Sequence, residues 1–332
     1  MPGARTEITE LATALGLLAS DLDTALARKP DRLRFVDDVV WQRLVDSYRR
    51  GDDAASFATA FANGAALLAA HDGLRFRAPL LVEWRGPHRP PGDDVVPSDL
   101  RIDHVYQVSC KYLSKITQNA GPARLFDRLL VGEERGGGDW FAIVAPDEYQ
   151  QFYESVVASI GCDLPAKVGD LTTADRALLK EVLRPRALPE EAAPAWVALC
   201  RAVAQRSADA WRGRLVDKRT RLRLLWRLLR ISDAPYFILG VDKASFIRLR
   251  VASTWDWVQA YELDSFVVEP RESGQPEVNW RAEITERSSG LRHLVAGHVE
   301  IRWSHGRFQG SPEAKVYLET SHAAVPGFYA LR

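Results

Sequence analysis

The chain has 332 residues, 46% hydrophobic and 27% charged, and its 44 basic side chains balance 44 acidic ones. That makeup suits a globular protein with room for two or three domains. It excludes whole-molecule attraction to a polyanion, so any such partner has to be met by a local patch. Cys110, Cys162 and Cys200 are too widely spaced for a C-x-x-C metal pair or a disulfide framework, as expected in a reducing compartment. With no signal-type apolar block at the start and no run of about 18 apolar residues, a soluble cytoplasmic protein without a membrane partner is expected.

Residues up to about His71 read as helices: LATALGLLASDLDTALA, VVWQRLVDSYRR and SFATAFANGAALLAAH all carry helical apolar spacing. The period then shortens to strand type in APLLVEWRG, SDLRID and VYQVSCKYL. GPARLFDRLL returns to helical spacing, and WFAIVAP is expected to be a further strand. Residues 1–150 therefore form N-terminal helices and an α/β core. Helices fill 151–232, from DEYQQFYESVVASI through TTADRALLKEVL and PAWVALCRAVAQRSADAWRG to a basic stretch. Residues 233–332 break into short strands and turns, which predicts a mostly antiparallel β domain for recognition or interaction.

Lys111 interrupts the apolar strand VYQVSCKYL. Lysine is seldom buried without a partner, so its place calls for a reason. Side chains alternate along a strand, which puts Gln107 and Ser109 on its face. Upstream, a two-residue turn at Asp103-His104 would set Ile102 opposite Val105 and Asp99 opposite Val108. A one-residue slip decides which face Asp99 occupies. VEWRG on the preceding strand supplies Glu83. Two carboxylates and an ammonium at one sheet edge match the needs of phosphodiester hydrolysis. Carboxylates hold Mg²⁺ through one or two oxygens plus phosphate, and a lysine orients the attacking water. The plainer reading is an edge-strand lysine that blocks aggregation, with Asp99 a turn former after Pro97.

EWRG, PSDL, and VSCKYLSK followed by GPARLF together resemble the PD-(D/E)xK, or restriction-endonuclease-like, nuclease superfamily over roughly residues 60–145. The resemblance implies a mixed central sheet flanked by helices, and Mg²⁺ (with Mn²⁺ as a substitute) held by Asp99 and Glu83. It also implies Lys111 as the catalytic lysine; Ser114 and Lys115, which follow it, are read either as phosphate contacts or as solvated surface. Ser109 stands where the family carries its second acid, two residues before the lysine. The literal letters recur in Glu313-Ala314-Lys315, with Glu300 on an expected partner strand; alternating charge on a wet hairpin face is the plainer reading there. His293, His298, His305 and His322 lie in the same region without cysteine partners or a two-histidine helical spacing.

Residues 212–230, RGRLVDKRTRLRLLWRLLR, hold eight basic residues against one acid, Asp217. Leu222, Leu225, Trp226 and Leu229 fall at core spacing, and Arg219, Arg223, Arg227 and Arg230 run down an adjacent stripe. In a chain of zero net charge, backbone phosphate is the natural partner for that stripe. The expectation is a magnesium-dependent endonuclease acting on double-stranded DNA in restriction or antiviral defence. A homodimer or further defence-system subunits would be compatible partners. Two other readings stay open: a catalytically inactive nucleic-acid-binding module on the same fold, and a protein-interaction subunit of a larger complex.

Overall fold

A computed structural model describes residues 4–86, 97–112, 116–127, 138–183, 188–242, 245–272 and 274–332. Helices α1 (Ala4–Leu18) and α2 (Leu22–Ala27), strand β1 (Leu33–Arg34), and helices α3 (Asp38–Arg49) and α4 (Ala54–Ala69) come first. Four strands follow: β2 (Val82–Trp84), β3 (Leu100–Ile102), β4 (Tyr106–Tyr112) and β5 (Ile116–Ala120). The helical middle comprises α5 (Trp140–Val144), α6 (Pro146–Ile160), α7 (Thr173–Leu183), α8 (Ala193–Arg214) and α9 (Lys218–Leu229). The rest is β6 (Tyr236–Asp242), β7 (Ser245–Val251), α10 (Thr254–Ala260), β8 (Tyr261–Glu272), β9 (Pro276–Glu286), β10 (Arg292–Arg302), β11 (Glu313–Leu318) and β12 (Phe328–Ala330).

Local chemistry sets several of these limits. Asp37 caps α3 by accepting the Val40 N–H at 2.7 Å, and Asp217 with Thr220 forms a reciprocal capping box at the start of α9. WFAIVAP is a short helix rather than the expected strand. Asp139 caps it through the Phe141 N–H at 3.0 Å, and Trp140 and Phe141 are buried. An apolar run this short carries no period that separates the two states. GPARLFDRLL forms a single π-helical turn, Ala123–Asp127, before the described residues break off.

Among the described residues, seven strands make a mixed sheet in the order β1-β2-β3-β4-β6-β7-β12, with β1–β2 and β4–β6 parallel and the other pairs antiparallel. Five more make a separate antiparallel sheet, β5-β11-β10-β9-β8. The sheets cross the boundaries drawn from sequence at 150 and 232. β6, β7 and β12 complete the first sheet, while β5 forms an edge of the second. Pairing between segments this far apart leaves no local signal.

Alternation divides the first sheet's two faces. Val82, Trp84, Leu100, Ile102, Val108, Phe237 and Leu239 pack with the N-terminal helices into one core. On the opposite face, Tyr236, Ile238, Ile247, Leu249 and Val251 join a second core with α8, α9 and the five-stranded sheet. The β2–β4 part of that face carries Glu83, Arg101, Gln107, Ser109 and Lys111 instead, a polar band beside an apolar one. No helix among the described residues is long and apolar enough to cross a membrane.

Candidate active site

The β3–β4 turn sets the site. It contains three residues, Asp103 to Val105, because Ile102 pairs with Tyr106. Asp103 and His104 both take left-handed backbone (φ 51° and 60°). The Asp103 carboxylate accepts the Leu80 and Leu81 N–H groups at 2.7 and 3.0 Å and pairs with Arg77 at 2.6 Å. The expected two-residue turn is thus one residue too short. That slip pairs Leu100, not Asp99, with Val108, and it moves Asp99 beside Ser109.

β4 continues past the start of β3, and the Asp99 carboxylate accepts the Cys110 N–H at 2.6 Å. This satisfies a backbone donor that the short strand β3 does not reach. The Ser109 hydroxyl, only 1% exposed as a residue, donates to the same carboxylate oxygen at 3.4 Å. Lys111 lies two residues further on the Ser109 face, and its ammonium donates to the Ile116 carbonyl at 3.3 Å. Asp99, Ser109 and Lys111 therefore share one side of the sheet.

Glu83 is on that side too, yet it serves a different partner. Arg101, opposite it in register, holds its two oxygens at 2.5 and 2.9 Å. His104 Nδ1 stands 3.2 Å away. The Arg101 guanidinium keeps the carboxyl below its usual range even though burial opposes the charge. Arg101 follows Asp99 by two residues, and that alternation in SDLRID was the available signal for it. Among the described residues, no three His, Cys, Asp or Glu side chains are grouped to hold a metal. The local donor set is one carboxylate with a hydroxyl beside it. That set fits a Mg²⁺ that keeps most of its waters, not one shared between Asp99 and Glu83.

The motif-like letters near the C-terminus are arranged differently. Glu300 pairs with Lys315 and Arg302 with Glu313. Glu313 accepts from Asn119 at 3.0 Å and from Ser304, and Glu300 pairs with Arg302 at 3.3 Å. His298 Nδ1 faces Glu319 at 2.9 Å. Each acid has its own cation or donor on a hairpin face. Under the nuclease expectation, Glu313→Gln should leave plasmid cleavage near the wild-type rate; loss of cutting would move the centre to this hairpin.

α9 buries Leu224, Leu225, Leu228 and Leu229, whereas Leu222 and Trp226, expected in the core, are half-buried. Its Arg219 and Arg223 are exposed, and Arg227 and Arg230 are half-buried. The helix is tied to the lysine region, because the Thr117 hydroxyl on β5 donates to the Leu228 carbonyl at 3.1 Å. Ser114 and Lys115 lie outside the described residues.

No family model, curated protein or solved structure matches this chain.

Proposed function

We propose that this protein is a metal-dependent endonuclease that hydrolyses DNA phosphodiester bonds on a restriction-endonuclease-like core, with Asp99, Ser109 and Lys111 at its centre. The observation that carries the reading is the one-residue register shift. It sets Asp99 beside the residue two before Lys111, with all three on one face. Further support comes from element order: the lysine strand β4 is followed, after an insertion, by helix α9 and by β6, which runs parallel beside β4.

In this reading Asp99 would hold the Mg²⁺, with the Ser109 hydroxyl next to it, and the ion would supply charge neutralisation and a more acidic bound water. Lys111 orients the attacking water and offsets charge building on the phosphate. Water oxygen bonds to phosphorus as the opposite P–O bond breaks, leaving a phosphate monoester and a free hydroxyl. The α9 arginines hold flanking phosphates. Glu83 shapes the band through Arg101 and His104 rather than taking the metal. Restriction or antiviral defence is the setting that the family analogy suggests.

A second reading is favoured by two observations, the serine at position 109 and the commitment of Glu83 to Arg101. It is a nucleic-acid-binding module with the same fold and no chemistry. Supercoiled plasmid incubated with Mg²⁺ or Mn²⁺, with an EDTA control, separates the two. Nicking or linearisation abolished by EDTA is expected. Salt-sensitive binding without cutting would favour the second reading, and neither behaviour would favour a protein-interaction subunit.

A further inference from the structure

The turn between β10 and β11 carries Arg307 onto an aromatic wall. Its guanidinium lies over the Trp196 ring of α8, 5.7 Å from the centroid, and Trp303 stacks with the same indole at 6.1 Å. The turn is anchored on both sides of Arg307. Gly306 takes φ 112°, a conformation that glycine adopts without strain. Phe308 is fully buried and stacks on Phe152 at 5.3 Å, while its carbonyl accepts from Arg176 on α7 at 2.6 Å. Gln309 donates back to the Arg176 carbonyl. These bonds fix where the Arg307 side chain leaves the backbone.

The neighbouring polar groups have partners inside the fold. The Trp196 and Trp303 indole N–H groups donate to the Gly274 and Gly310 carbonyls, each at 3.0 Å. Glu313, the acid of this hairpin, accepts from Asn119 and Ser304. Burial pushes the Cys200 thiol up to about 12, so at neutral pH it offers Arg307 no counter-charge. Among the described residues, none forms a hydrogen bond or ion pair with the half-buried Arg307. Burial accordingly pulls the guanidinium below its usual range. A second cation meets the same turn. A Cβ on Gly306 would stand 3.8 Å from Cγ of Lys180 on α7, and Lys180 pairs with no acid among the described residues either.

A desolvated cation without a counter-ion is costly to keep, and two of them at one turn call for an anion from outside. A phosphate monoester carries about −1.5 to −2 charge at neutral pH, which matches both cations; a carboxylate would match one. The guanidinium fork can hold two phosphate oxygens at once. We propose that Arg307 and Lys180 bind a dianionic phosphate group at the tip of the β10–β11 hairpin, with Trp196 backing the guanidinium. The site does not depend on the Asp99–Lys111 chemistry. Its phosphate comes either from a small phosphorylated ligand or from the 5′ end of a nucleic-acid strand.

Calorimetric titration with inorganic phosphate, in Hepes at constant ionic strength, tests the site without calling on cleavage. Saturable binding is expected in wild type, with acetate at least about tenfold weaker. Arg307→Gln should weaken phosphate binding about tenfold or more, the loss expected for a hydrogen bond to a charged group. Lys180→Gln should weaken it about threefold, and Arg307→Lys should recover part of what glutamine loses. A DNA duplex labelled with fluorescein at a 3′ end, with or without a 5′-phosphate, is then read by anisotropy in EDTA. A 5′-phosphate preference that Arg307→Gln abolishes assigns the strand end, and equal binding of the two duplexes assigns a small ligand. No saturation with phosphate, or wild-type affinity in Arg307→Gln, would overturn the proposal, as would acetate binding as tightly as phosphate. An Arg307→Gln chain that melts well below wild type in phosphate-free buffer, with affinity that lysine does not restore, would make Arg307 structural and overturn it too.

Discussion

Lys111→Ala is expected to lower plasmid cleavage by about 10²–10³-fold, the usual cost of removing one preorganised charge donor from a developing oxyanion, with little change in DNA affinity. On the proposed reading the two effects separate, because the α9 arginines would carry the affinity while Lys111 would face the phosphate that reacts. Its ammonium donates to the Ile116 carbonyl over a long 3.3 Å, and a bond of that kind contributes about 0.5–1.5 kcal/mol. A folded variant with normal anisotropy curves and no nicking would locate Lys111 in the chemical step. Cutting at the wild-type rate would return Lys111 to its plainer reading, a lysine placed on a strand for solubility.

Much of this geometry is legible in the sequence. The helices α3, α4, α6, α7 and α8 follow apolar stripes of helical period. β3 and β4 follow from alternation between turn residues, and period two alone aligns Ser109 with Lys111. What the sequence left open was a single residue of register. Asp103 and His104 both adopt left-handed backbone, and Asp103 turns its carboxylate back onto the Leu80 and Leu81 amides. The turn is held by contacts from outside the hairpin, so its length did not follow from its own letters. That residue decided the face of Asp99. The fate of Glu83 was hidden for a related reason: a carboxylate is a ligand or half of an ion pair according to its cross-strand neighbour. Arg101 becomes that neighbour only once β2 and β3 are in register. The sharing of β5, β6, β7 and β12 between two sheets is a long-range choice, beyond the reach of any window of local periodicity.

Gly240→Ala is expected to be the most damaging of the small substitutions, although it adds one methyl group to a strand. Gly240 pairs with Lys111 across the parallel β4–β6 ladder. A Cβ built there would lie 1.7 Å from the Lys111 carbonyl oxygen and 2.5 Å from its carbonyl carbon. Both are main-chain atoms, so no rotamer change relieves the clash, and one of the two strands has to move. The Gly240 carbonyl also accepts from Asn63 on α4 at 3.0 Å, and Asn63 in turn accepts from Arg248 on β7 at 2.9 Å, so movement of β6 spreads into the N-terminal helices and the next strand. Overpacking in a core ordinarily costs about 1–3 kcal/mol, and a main-chain clash at the centre of the sheet belongs at the upper end. Against a total stability of about 5–15 kcal/mol, that should lower the melting temperature by about 4 °C in a chain of this length. Because the strand that must yield carries Lys111, cleavage should fall even at temperatures where the variant remains folded, while binding through the exposed arginines Arg219 and Arg223 persists. Thermal unfolding, anisotropy and plasmid nicking measured on one preparation test this together. An alanine variant with wild-type melting and wild-type cutting would mean that β4 and β6 do not pair in this register, and the shared face of Asp99, Ser109 and Lys111 would lose its support from β6.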